Sequence, residues 1–288
     1  MIAAFVLLAV LVAVVLNALL QFGLVGVVIA LVVALGTSFF AYWKSDSVAL
    51  AMSRAHPADP VEYARLHNIV EGLCIAAGLP KPRIYIVDDA APNAFATGRD
   101  PKHAAIAVTT GLLDKMNRIE LEGVLAHELS HIKNYDILVS TLAVTLVGFI
   151  ALASDLGIRF LWWGGGRNRD DNNGGGGPQA ILALFGFALL ILAPLIAQLM
   201  QFAVSRRRES LADMSGVELT RYPPGLIAAL EKLRDDQTVV HAHSRATAHL
   251  WIEQPMPTQK EEGRLSRLNR LFDTHPPLEE RIAALREL

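Results

Sequence analysis

His127-Glu128-Leu129-Ser130-His131 is the stretch on which the reading of this chain turns. Two histidines four positions apart lie one turn apart on the same face of an α-helix. From there both imidazoles can hold one metal ion, and the glutamate between them projects beside it. Zinc held by two histidines and a carboxylate keeps a coordination position open for water, and Glu128 can then take a proton from that water. The pattern is short enough to arise by chance, so it demands a helix, a third ligand and a context. Residues 119–135 supply the helix, with Leu121, Val124, Leu125, Leu129 and Ile132 available for packing. The third ligand should be a carboxylate, and Glu209 in Arg208-Glu209-Ser210-Leu211-Ala212-Asp213 is the best placed. Asp213 follows one turn later on the same face, where it can accept the free ring N–H of a ligand histidine and fix its tautomer. An ordinary charged helix end would share this composition; the pairing with His127 and His131 favours the ligand reading.

The sequence around this pattern avoids water. Of 288 residues, 52% are hydrophobic and 19% charged, against about a quarter charged in a soluble domain. Mean hydropathy is +0.36. A net charge of -2 gives no indication of nucleic-acid binding. The one cysteine, Cys74, excludes an internal disulfide framework and fits a reducing compartment. Its neighbours Leu73, Ile75 and Ala76 suit a buried thiol rather than a nucleophile.

Apolar runs account for the composition. Residues 2–20 carry one polar side chain, Asn17, and residues 24–43 carry only Thr37 and Ser38. Each run approaches the roughly 20 residues that span a bilayer, and Gln21-Phe22-Gly23 between them forms a turn, making a helical hairpin. A cleaved signal peptide fits poorly, because no basic n-region is present and a second run follows at once. Residues 137–153 and 180–204 form a second pair, joined by a solvated loop holding Arg167-Asn168-Arg169-Asp170-Asp171-Asn172-Asn173 and the run Gly174 to Gly177. Trp162 and Trp163 suit an interfacial belt. Ser140, Thr141 and Thr145, with Asp155 and Arg159 nearby, also let the third run be a buried helix of the catalytic domain. The predicted division is 1–43, an N-terminal transmembrane hairpin; 44–136, the first catalytic part; 137–204, a second hydrophobic hairpin with polar loop 162–179; and 205–288, the second catalytic part.

Lysine and arginine placement orients these runs. Lys44 and Arg54 follow the first hairpin, and Arg206-Arg207-Arg208 follow the fourth run. An even number of spans puts them on one side with the metal pattern, hence the cytoplasm, although Arg159, Arg167 and Arg169 oppose this asymmetry. The third run begins about six residues after His131, roughly 9 Å along a helix, and Glu209 follows the fourth run by a similar count. The metal is therefore expected just outside the cytoplasmic membrane surface.

Between the hairpins, residues 60–77 have helical periodicity with Val61, Leu66, Ile69, Val70 and Leu73 on one side, stopped by Gly78-Leu79-Pro80-Lys81-Pro82. Residues 83–87, 93–97 and 104–109 read as strands, the last two separated by the turn Gly98-Arg99-Asp100-Pro101. His241, His243 and His249 lie in a polar, solvated or lid-like stretch, and His56, His67 and His103 read as surface residues. The glycine runs lack the flanking strand and Lys-Ser/Thr pair of a phosphate loop.

Four stretches together resemble the HtpX family of bacterial membrane zinc metalloproteases, relatives of the CAAX prenyl proteases. They are Pro92-Asn93-Ala94-Phe95-Ala96-Thr97-Gly98, His127-Glu128-Leu129-Ser130-His131, Arg208-Glu209-Ser210-Leu211-Ala212-Asp213 and Thr274-His275-Pro276-Pro277-Leu278-Glu279-Glu280-Arg281-Ile282. The resemblance covers essentially the whole chain, with no substitution at a catalytic position. It implies a mostly α membrane protein with an α+β, zincin-like (gluzincin) catalytic domain carrying a small β-sheet and about four transmembrane or membrane-associated helices. It implies one Zn2+ per chain on His127, His131 and Glu209, with Glu128 as base and then acid. It also implies that the strand with Asn93, Ala94 and Phe95 lines the substrate cleft, where an extended peptide could add to its edge. His275 and Arg281 map onto residues near the metal. Either could stabilise a tetrahedral oxyanion, His275 could fill the open metal position at rest, or His275 could simply start a helix before Pro276-Pro277.

The expected activity is a membrane endopeptidase with its site facing the cytoplasm; the resemblance implies a bacterial inner membrane and a role in stress response and protein quality control. Its partners would be membrane-protein and unfolded polypeptide substrates, the lipid bilayer, and other membrane quality-control proteases, with no nucleic acid. A CAAX-type prenyl-protein protease is one alternative, though four runs are too few for a large intramembrane chamber. A non-catalytic scaffold holding zinc for structure is another; Glu128 argues against it, since such a site needs no base.

Overall fold

The computed structural model describes residues 46–141, 206–236 and 276–288, together with residues 32, 36, 39, 43, 44, 238 and 250–252. Outside the described residues lie most of the four apolar runs, the loop 162–179, His241, His243, His249 and His275. Among the described residues no helix is long and apolar enough to cross a membrane. Nearly all the described residues belong to one compact unit, Ser45–Val144 with Leu199–Leu288.

Helix α1 spans Ala64–Ala77 and buries Leu66, Ile69, Val70, Leu73 and Cys74. It ends at Gly78, whose φ of 67° is the left-handed conformation that glycine adopts without a Cβ penalty. The helix starts later than the periodicity suggested. The Asp59 carboxylate accepts the backbone N–H groups of Val61 (2.8 Å) and Glu62 (3.0 Å), holding a turn there. Val61 is therefore left 87% exposed instead of joining the packed face. Burial pushes the Cys74 thiol up to about 11, as an inert structural cysteine requires.

The sheet contains β1 (His56–Pro57), β2 (Arg83–Val87), β3 (Ala94–Gly98) and β4 (Ala104–Thr109) in the order β1-β2-β4-β3. β2 and β4 run parallel, while β1 and β3 are antiparallel to their neighbours. Side chains alternate between two buried layers, as pleating demands. Ile84, Ile86, Ala94, Ala96, Ile106 and Val108 face the helices. Phe95, Ala105 and Ala107 face a second cluster with Leu50, Leu250 and Trp251. The two alanines leave room for an edge-to-face contact between Phe95 and Trp251, with ring centroids 4.7 Å apart.

Helix α2 (Thr110–Lys115) is a short continuation of β4, capped by the Thr109 hydroxyl. Helix α3 (Arg118–Lys133) begins at a capping box in which Asn117 accepts from Glu120 N–H and Glu120 accepts from Asn117 N–H. The C-terminal half supplies α4 (Arg206–Thr220), α5 (Pro223–Asp235) and α6 (Leu278–Leu285). α3 lies among α1, β3, α4 and α5, so its polar residues His127, Glu128 and Ser130 are buried with its leucines. Two glycines permit close approaches of α5 and α4 to α3. A Cβ on Gly123 would come within 2.8 Å of the Leu226 backbone, and one on Gly216 within 3.1 Å of the His127 backbone nitrogen.

Candidate metal centre

The helix period places His127 and His131 on one side of α3, and α4 brings Glu209 against them. The three ring-and-carboxylate groups form a potential metal site within 4.8 Å of one another. His127 Nε2 and His131 Nε2 are 3.2 Å apart. Glu209 Oε2 is 3.6 Å from His127 Nε2, and Oε1 is 3.5 Å from His131 Nε2. Tetrahedral zinc with ligand bonds of about 2.0–2.1 Å requires donors about 3.3 Å apart, so the triangle has the dimensions of such a site.

The protons of the two imidazoles support the same assignment. His127 Nδ1 lies 2.9 Å from Asp213, and His131 Nδ1 lies 3.1 Å from Asp136. A carboxylate accepts, so each Nδ1 carries a hydrogen and each ring turns its Nε2 toward the other and toward Glu209. Such a convergence calls for a cation. Burial and the nearby Arg281 charge hold the His127 pKa down, yet Asp213 and Glu209 outweigh them and raise it to about 9. A proton thus competes for the place that a metal would take. For Asp213, burial works upward, but Arg281 and His127 bring the carboxyl to about 2.

The side chains behind the triangle form two similar arrangements. Arg281 donates to Asp213 twice, through Nε at 2.8 Å and Nη2 at 2.6 Å. Its Nη2 is also 3.3 Å from His127 Nδ1, and its Nη1 is 3.6 Å from Glu209. On the other side, Arg208 donates to Asp136 at 3.0 Å while Asp136 holds His131. Glu128 is 2% exposed, in the α3 turn between the two histidines.

The sequence-derived residues His127, Glu128, His131, Glu209, Asp213 and Arg281 therefore converge. Arg281 meets the site from behind His127, with two of its donors engaged by Asp213. In β3, Asn93 O accepts from Thr109 N–H, so the backbone groups of Asn93 and Phe95 face β4 and those of Ala94, Ala96 and Gly98 face outward. Ala94 O already accepts from Ile252 N–H at 3.0 Å, and Gly98 N–H donates to Thr141 Oγ1 at 3.1 Å. Ala96 is the outward position between these two contacts. Sequence reasoning missed Asp136 and Arg208. In a continuous helix Asp136 would sit about 140° around from His131. Tyr135, with φ of 61°, breaks that geometry.

The model of Peptidase family M48 matches residues 60–288. A Protease HtpX homolog of Thermoanaerobacter pseudethanolicus is 45% identical over 268 residues, covering 93% of this chain and 86% of the relative. One from Streptococcus mutans is 48% identical over 265 residues, covering 91% and 86%. The crystal structure of S. mikatae Ste24p aligns at a TM-score of 0.50 and 20% identity, over 86% of this chain and 55% of that chain, a likeness of fold. With the family match, relatives of this identity and a site of this geometry in agreement, the chain belongs to peptidase family M48 and is a metalloprotease.

Proposed function

We propose that this chain is a zinc-dependent endopeptidase that cleaves membrane proteins, misfolded ones among them, at the cytoplasmic face of a bacterial inner membrane. The observation that carries the chemistry is the convergence of His127 Nε2, His131 Nε2 and Glu209 beside buried Glu128. Bound zinc would supply Lewis acidity for the scissile carbonyl and lower the pKa of water at its open position. His127, His131 and Glu209 would hold the metal, and Asp213 and Asp136 keep the imidazole protons on Nδ1. Glu128 takes the proton of the attacking water and returns it to the departing amine. Arg281 neutralises Asp213 and keeps a positive charge behind His127.

The membrane reading rests on the four apolar runs and on the chain positions of the ligands. His131 lies six residues before one run, and Glu209 lies five residues after another. Cytoplasmic loops and tails of membrane proteins would reach a site so placed. Proteomes of cells carrying wild type and Glu128→Gln test the proposal. Accumulation of membrane proteins in the variant supports it, and unchanged membrane-protein levels oppose it. Selective accumulation of prenylated peptides would favour the CAAX-type activity instead.

A further inference from the structure

Behind His127 stands a carboxylate fixed by an arginine, and both come from helices of the catalytic unit. The equivalent pair behind His131 lies in the same unit, with Arg208 on α4 itself, but it flanks the second pair of apolar runs. Asp136 immediately precedes the apolar run 137–153, and Arg208 closely follows the run 180–204. The residues that flank this hydrophobic stretch in sequence therefore meet behind His131.

Three observations give this meeting consequences. First, Asp136 bridges: Oδ2 is 3.1 Å from His131 Nδ1 while Oδ1 accepts from Arg208 at 3.0 Å. Second, the chain adopts an uncommon conformation to make that bridge. Tyr135 has φ of 61°, which disfavours a side chain with a Cβ. It ends α3 and swings Asp136 back beneath His131, and a helical segment over 136–141 starts from there. Third, His131 is the less enclosed ligand, its side chain 15% exposed against 1% for His127. With less packing around its ring, its orientation depends more on the hydrogen bond behind it.

We propose that Asp136 is the positioning residue of the second ligand histidine and that Arg208 positions Asp136, so that this ion pair ties two residues flanking the second apolar segment in sequence to the metal centre. The proposal rests on the reading of His131 as a metal ligand. Asp136 keeps the Nδ1 proton in place and leaves Nε2 for the metal. Arg208 acts one step further out, holding the carboxylate in the rotamer that meets His131. Its neighbour Glu209 is the third ligand, so α4 presents the metal donor and the clamp on successive residues.

The test measures zinc affinity by competition with a chromophoric chelator, and the visible spectrum of the cobalt-substituted enzyme, in Asp136→Asn, Asp136→Ala, Arg208→Gln and the Asp136→Ala/Arg208→Gln double variant. Circular dichroism of the chelator-treated proteins checks the fold. If Asp136→Ala does not fold, Asp136→Asn and Arg208→Gln carry the test. Asp136→Ala should lose 10–100-fold in zinc affinity, the range for a removed partner of a ligand histidine. Arg208→Gln should lose several-fold and perturb the cobalt spectrum, and the double variant should match Asp136→Ala alone. Glu71→Gln, which breaks an exposed pair with Lys81, should leave the affinity unchanged. Wild-type affinity in Asp136→Asn and Arg208→Gln, or additive losses in the double variant, overturns the proposal while leaving the metal site intact. A wild-type protein that binds no zinc overturns the metal reading and this proposal with it.

Discussion

At the candidate metal centre each imidazole has an acceptor at Nδ1 and turns its Nε2 toward Glu209. This makes His127 a titrating group once zinc is stripped. Its pKa is raised from 6.5 to about 9, so the folded chelator-treated protein binds a proton more tightly than the unfolded chain. A raised pKa contributes stability that is fully present below the unfolded value and lost as pH rises through the folded value. The melting temperature of the chelator-treated protein should therefore fall between about pH 6.5 and pH 9. Zinc must displace that proton, so its apparent affinity should rise over the same interval. A melting temperature flat across this window would contradict the assignment of the His127 environment. Glu209 and Asp213 were legible in sequence because both obey the simple helix period on α4. Asp136 was not, because its place beneath His131 depends on a left-handed turn at Tyr135, a residue type that gives no warning of one.

Among the elements, the decisive packing is that of α4 on α3, since it brings Glu209 to the histidines. Gly216 permits it: a Cβ there would lie 3.1 Å from His127 N and 3.3 Å from His127 Cα. Those are backbone atoms in a buried helix and cannot swing aside. Gly216→Ala should cost about 1–3 kcal/mol of stability through overpacking and should weaken zinc binding as α4 moves off. Chelator competition and thermal unfolding measure the two effects, and wild-type values for both would show that the close approach is unimportant. The strands were legible to within a residue because alternation and flanking turns bound them: β2 and β4 match their expected limits, and β3 is shifted by one. The short elements were not. β1 has two residues, one of them a proline, and α2 is only a turn and a half of helix following β4 directly. The start of α1 was misread because the Asx turn at Asp59 competes locally with the helix, and periodicity does not register that competition.

On the scale of the molecule, the third apolar run begins inside the catalytic unit. Ile137 is 2% exposed and Thr141 is fully buried. Thr141 Oγ1 lies 3.0 Å from Thr97 Oγ1 and accepts from Gly98 N–H, so the run starts by closing the end of β3. The hydroxyl residues that set this run apart in sequence thus have a structural use, at least at Thr141. Thr141→Val keeps the shape and removes these two bonds and the one Thr141 Oγ1 donates to Ile137 O, leaving the Gly98 N–H without this partner. It should lower stability by about 1–3 kcal/mol, read as a lower denaturant midpoint; an unchanged midpoint would mean that the contact contributes nothing. The claim on which the whole account rests is that Glu128 works beside a metal held by His127, His131 and Glu209. Glu128→Gln tests it most directly, with zinc content and casein cleavage measured on the same purified protein. One zinc per chain is expected in both forms, with a loss of about 10²–10⁴-fold in cleavage rate for the variant. Cleavage by Glu128→Gln at the wild-type rate would contradict it.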